Sequence, residues 1–214
     1  MTEKLLALLR AQYPLRPCDA GEFSALKANG MRFTVEAYEA EGLGHVSVMR
    51  AKGFFGLMKM DTLIVNPTER DLPLYSYDRI LAMGNDTLIA ELYDTTVGGF
   101  ASQELDGLLR RSVQLPDRDP GTHWYDSIRL PQSISKKGKK AEREAFDRLA
   151  QDHFAAWLDA KCPPLTDKAA KEAKAAAYVD GLLTHGGPST DVFKKALGQE
   201  KTELLFRKVL FGTK

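Results

Sequence analysis

Residues 31–48 read MRFTVEAYEAEGLGHVSV, and their spacing decides the fold class. Phe33, Val35 and Ala37 alternate with Arg32, Thr34, Glu36 and Tyr38, the period of a strand with one buried face. Gly42 and Gly44 then bracket a turn into Val46 and Val48, so the segment predicts a β-hairpin. Further runs follow at short intervals. One from Leu57 to Val65 ends at Asn66-Pro67, one from Leu74 to Ala82 ends at Gly84-Asn85-Asp86, and one covers Thr87 to Tyr93. Connections this short join antiparallel neighbours, because a parallel pair needs a crossover of a dozen residues or more.

On either side of this meander the period lengthens to that of helices. Leu5, Leu6, Leu8 and Leu9 predict a first helix, capped by Thr2 and stopped before Pro14, with a proline-punctuated connector after it. Beyond Gly98-Gly99, Leu105, Leu108 and Leu109 fall on one helical side. The loop 116–121 leads to a short extended piece around Tyr125 to Leu130, and Lys136 to Lys140 form a dense basic run. Helices are expected at Ala141–Lys161, Asp167–Thr184, Thr190–Leu197 and Lys201–Phe211. The expectation is one α+β domain spanning 1–214, a three-layer α/β/α sandwich whose central antiparallel sheet is flanked by helices.

With 214 residues, the chain is long enough to bury roughly 70% of its unfolded surface around a core of its own. Thirty Lys and Arg balance twenty-nine Asp and Glu, so no global basic field favours nucleic acid. No apolar run reaches the roughly 18–20 residues of a membrane span, and the leucine-rich start, interleaved with Glu3, Lys4 and Arg10, is expected to be an amphipathic helix and does not read as a signal peptide. Cys18 and Cys162 lack metal-type spacing. A cytoplasmic protein without membrane or nucleic-acid partners is the expectation.

Phosphate loops, nucleophile elbows, paired metal-ligating histidines and Cys-x-x-Cys are all missing from the sequence. Acid in half-apolar strands stands out instead. Asp78 shares a strand face with Leu74, Ser76 and Ile80, and Asp61 shares one with Leu57, Leu63 and Val65. A carboxyl desolvated in an apolar cleft holds its proton near neutral pH and can deliver it to a substrate, whereas an edge or turn Asp simply faces water. Of four scattered histidines, His185 is singled out by His185-Gly186-Gly187-Pro188, either a flexible functional loop or a plain helix stop. The basic run is either a solvated loop or a docking patch for an acidic partner or anionic substrate.

With those residues in view, IVNPTERDLPLYSYD, residues 64–78, resembles a signature of the ferredoxin-dependent bilin reductases. That signature is an apolar strand, a proline loop, Asp/Asn-Leu-Pro, an apolar pair, a small residue and an Asp. A second resemblance lies in VFKKALG (192–198) followed by Val209-Leu210-Phe211, like the family's closing helix and Val-Leu-Phe end. A third is Trp124 with Asp126-Ser127. Together they span roughly residues 57 to 214. The sequence looks like a divergent member of the family, of the phycocyanobilin:ferredoxin oxidoreductase type.

The resemblance implies reduction of a biliverdin-type linear tetrapyrrole, with electrons from reduced ferredoxin and no bound cofactor. It implies catalytic roles for Asp78 as proton donor and for Asp61 and His185 as relays. Substrate-binding roles fall to Trp124 and, as propionate grips or a ferredoxin-facing surface, to Arg129, Lys136 and Lys137. One departure is plain: the His that such enzymes carry before the proline loop falls at or beside Asp61. Rival readings are a non-catalytic tetrapyrrole-binding protein, a relative of red chlorophyll catabolite reductase or coproporphyrinogen oxidase, and a plain interaction domain.

Overall fold

The computed structural model describes residues 1–213. Eight strands form one antiparallel sheet: β1 (Leu15–Cys18), β2 (Ala25–Ala28), β3 (Met31–Ala40), β4 (Gly44–Gly53), β5 (Met58–Pro67), β6 (Leu74–Ala82), β7 (Asn85–Tyr93) and β8 (Ile134–Gly138). Their order is β1-β3-β4-β5-β6-β7-β8, with β2 also paired to β3, beside β1 on one edge. The β3–β4 turn places Gly42 at φ +83°, in the left-handed region that glycine tolerates. The hairpin and the meander read from the sequence are therefore present.

Strand alternation sends successive side chains to opposite faces, and each face has its own helical cover. Val46, Val48, Leu63, Val65, Tyr75 and Tyr77 pack beneath α1 (Thr2–Gln12), α2 (Gln103–Arg111) and α3 (Arg143–Leu158), which contribute Leu5, Leu105 and Trp157. Phe33, Val35, Met49 and Ile64 pack on the other face beneath α4 (Lys168–His185), α5 (Pro188–Leu197) and the chain end, through Tyr178, Phe193 and Leu210. Burying each such side chain stabilises the fold by about 1.5–3 kcal/mol. The three-layer sandwich follows. A last helix, α6 (Gln199–Leu204), widens into a π-helical turn over Leu205–Leu210.

Polar side chains anchor that chain end to the sheet. His45 Nε2 donates to Val209 O at 2.8 Å, Ser47 Oγ to Leu210 O at 2.7 Å and Asn66 Nδ2 to Phe211 O at 2.8 Å. Three consecutive carbonyls, those of the Val-Leu-Phe motif, are thus satisfied by β4 and β5.

Three expectations are corrected. The proline-punctuated connector contains β1 and β2; both have four residues, and Pro17 is tolerated in β1 because an edge strand leaves one side of its backbone unpaired. The extended piece around Tyr125 is a 3₁₀ turn, Trp124–Ser127, with one bridge from Arg129 to Tyr93. The basic run begins inside β8, where Lys136 is 5% exposed and its Nζ donates to Ser112 O, Leu115 O and Asp117 Oδ1. A lysine with its partners folded around it reads as polar in sequence and as interior in the fold.

His153 is a structural histidine, fully buried in α3. Gln132 O lies 2.8 Å from Nε2 and can only accept, so Nε2 carries the hydrogen and Nδ1 accepts from Tyr75 OH at 3.0 Å. Burial holds this imidazole down to about 4, against its ordinary value of 6.5. The unfolded chain therefore takes up a proton that the folded chain refuses between those values. The associated stability is present above about pH 6.5 and lost as pH falls through about 4, on the order of 3 kcal/mol. In urea titrations at pH 7 and pH 4, His153→Gln should lose less stability on acidification than the parent chain; equal losses would refute the assignment.

Candidate functional site

Asp78 sits in β6, hydrogen-bonded into the sheet on both sides, so its backbone is fixed by β5 and β7. Across the ladders it faces Thr62 and Ile89. Its carboxylate accepts from Thr62 Oγ1 at 2.5 Å, which favours the ionised form. Burial outweighs that bond and, with the charge of Glu91 added, pushes the carboxyl up to about 6. Around it Met60, Ile80 and Ile89 are only half-buried, leaving an accessible apolar floor between the sheet and the α4–α5 layer.

One wall of this floor is aromatic. Tyr93 of β7 stacks on Tyr178 of α4 at 4.2 Å and meets Tyr125 edge-on at 5.3 Å. Trp124 lies 5.3 Å from Tyr125, 5.8 Å from Tyr178 and 5.3 Å from His185. Gly181 is what lets Trp124 lie on α4, since a Cβ there would fall 2.1 Å from the indole ring. The indole Nε1 is buried and has no hydrogen-bond partner among the described residues. A buried donor without a partner is costly in a folded protein and marks a place where a ligand acceptor fits.

The sequence reading overlooked Glu91, Tyr93 and Tyr178. Glu91 stands on Asp78's face one strand away, accepting from Tyr93 OH at 2.6 Å and Arg129 Nη1 at 3.1 Å. A cleft of about 310 Å³ is lined by Glu91 of β7, Ser135 of β8 and, from the connecting segment, Asp126, Arg129 and Leu130 among others. In sequence Glu91 is the polar half of an alternating strand, with nothing to distinguish it from a solvated residue.

The other candidates separate. Asp61 is on the opposite face of the sheet: it pairs across the ladder with Arg79 and lies 3.3 Å from the N-terminal ammonium, beneath α1. One residue of offset along a strand is a change of face, so Asp61 cannot act with Asp78 in one site. The two positions beside it that do share Asp78's face are Met60 and Thr62, and neither is a histidine. Lys136 is on the α2–α3 side and is excluded from the cleft for the same reason. Lys137 is exposed on the Asp78 side. Arg129 is half-buried and already paired with Glu91 and, at 2.9 Å, Asp126. His185 ends α4, exposed, where Gly186 at φ +79° stops the helix.

No family model matches the chain, and no curated protein matches it. Among solved structures it is similar to a phytochromobilin synthase from tomato in complex with biliverdin, with a TM-score of 0.77 over 99% of this chain and 83% of that one. The chain has the fold of that synthase. Identity between the two is 16%, so the shared architecture is carried by the pattern of strands and helices, with few identical side chains. An α+β sandwich with an antiparallel sheet, as the strand spacing implied, is the architecture observed.

Proposed function

We propose that the protein binds a biliverdin-type linear tetrapyrrole on the Asp78 face and reduces it with electrons from ferredoxin. The single observation that carries this reading is a carboxyl held at about 6 on an accessible apolar floor. A neutral carboxylic acid at that position can protonate the tetrapyrrole as electrons arrive, so that reducing one double bond consumes two electrons and two protons. The similarity to a synthase in complex with biliverdin and the signature ending at Asp78 both support the substrate class.

In this reading the chain's own residues divide the work. Asp78 gives a proton, Thr62 orients its carboxylate, and the Tyr93–Tyr178–Trp124 wall excludes water from one side of the substrate. The exposed ammonium of Lys137 is open to a propionate, whereas the unpaired indole N–H of Trp124 is buried and would reach a carbonyl only after a side-chain shift. Arg129 would have to leave Glu91 or Asp126 to serve as such a grip. His185, exposed and tilted against Trp124 at 5.3 Å, would relay a proton from solvent. A binding protein without turnover is the second reading, favoured by Met60 and Thr62 where the related enzymes carry a histidine.

An anaerobic visible-absorbance titration with biliverdin, followed by reduced ferredoxin, separates the two. Saturable binding followed by a shift to shorter wavelength supports the reductase. Binding without that shift supports the second reading, and no binding refutes both.

A further inference from the structure

Far from the Asp78 floor in strand order, three side chains of different chemistry meet on the β1–β3–β4 side of the sheet. Cys18, Glu39 and His45 each offer a ligand atom, and these atoms all lie within 4.8 Å of one another. Strand register assembles them: Glu39 is paired with Arg16 on one side and with His45 on the other. Cys18, two residues along β1 from Arg16, emerges on the same face. Nothing in the spacing 18, 39, 45 signals this.

His45 is the best-defined member. It is 6% exposed, and the hydrogen bond from Nε2 to Val209 O places its hydrogen on that nitrogen. The lone pair is then on Nδ1, which makes no hydrogen bond among the described residues and lies 4.0 Å from Glu39 Oε2. A histidine whose second nitrogen is tied to a backbone carbonyl is oriented as metal-ligating histidines are. Cys18 is a free, accessible thiol.

We infer that Cys18, Glu39 and His45 form a binding site for a divalent cation of the zinc class, completed by water. A thiolate, an imidazole and a carboxylate together suit zinc and disfavour magnesium or calcium, which take oxygen donors. A tetrahedral zinc at about 2.0–2.3 Å from its ligands spaces them about 3.3–3.7 Å apart. Closing the site therefore asks for a shift of about 1 Å from the Cys18 and Glu39 side chains. The cation would clamp β1, which has four residue pairs to β3, onto β3 and β4, and through His45 onto the carbonyl of Val209. Its role is to stabilise this edge and the chain end, independently of what binds at Asp78.

The full chain, stripped with a chelator, is titrated with Zn²⁺ and separately with Co²⁺. Expected are one zinc retained per chain after gel filtration, a zinc-dependent rise in melting temperature, and a thiolate-to-cobalt charge-transfer band. Cys18→Ser should abolish the band and weaken zinc binding at least tenfold, and Glu39→Gln should weaken it while keeping the band. Cys162→Ser, which removes the other free thiol, should change neither. No retained zinc, no thiolate band, or a band lost with Cys162 in place of Cys18 would overturn the site. His45 is left intact, because it also holds Val209.

Discussion

Asp78→Asn should bind biliverdin with nearly unchanged affinity and reduce it at least about 100-fold more slowly, the scale expected when a positioned general acid is lost. The amide keeps the shape and the contact with Thr62, so floor and wall persist. What it lacks is a transferable proton. In the parent chain the reacting form is the protonated carboxyl, whose population falls as pH rises through about 6. The rate of reduction per bound bilin at limiting reductant should fall on the alkaline side with that midpoint, and the limb should vanish in the variant. Folding stability gives an independent reading. A carboxyl raised from 3.8 to about 6 contributes stability that is present below about pH 4 and lost as pH rises through about 6. Asp78→Asn, which cannot ionise, should therefore be no less stable than the parent at pH 8. Turnover by the variant at the parental rate would sink the assignment of Asp78. A variant that fails to bind bilin at all would contradict the claim that its shape is retained.

Asp71→Ala should destabilise the fold by about 3–5 kcal/mol, a large share of the roughly 5–15 kcal/mol typical of a whole domain. Asp71 and Lys171 are each 1% exposed, with 3.8 Å between carboxylate and ammonium. The carboxylate also accepts from the backbone of Val97 at 2.9 Å and Gly98 at 2.7 Å, while Lys171 Nζ donates to Leu72 O at 2.6 Å. Burial pulls Lys171 down to about 8, and Asp71 opposes that pull. Removing the carboxylate strands a buried ammonium and two backbone donors at once. Because Lys171 lies at the end of the first turn of α4, the damage would reach the helix that carries Tyr178 and Gly181. Urea unfolding measures the cost. Adding Lys171→Met should recover part of it, since the pair is coupled. A loss below about 1 kcal/mol would mean that the pair is not what holds α4 to the sheet.

Both residues belong to the stretch 64–78, yet the sequence supports them unequally. The place of Asp78 on an apolar strand face followed from alternation alone, because the side-chain period of a strand is two and needs no knowledge of neighbours. The role of Asp71 did not, since its partners lie 26 and 100 residues away along the chain. Glu91 was missed for the same reason: its importance comes from Asp78 across the sheet and from Arg129 in a distant turn. Asp61 was misplaced as a partner of Asp78, because periodicity assigns residues to a face within one strand and says nothing about how two strands are registered.

What the sequence by itself determined is the meander from β3 to β7, the main helices and the α+β class, all consequences of local periods of 2.0 and 3.6 residues. The short strands β1, β2 and β8 escaped it. They are strands because a neighbour's unpaired edge satisfies their backbone, and pairing is a property of two segments. The tertiary structure alone decided which polar side chains face the cleft, that Lys136 is interior, and that Cys18 and His45 meet. Such groups gain their partners only when distant parts of the chain are packed together and water is excluded.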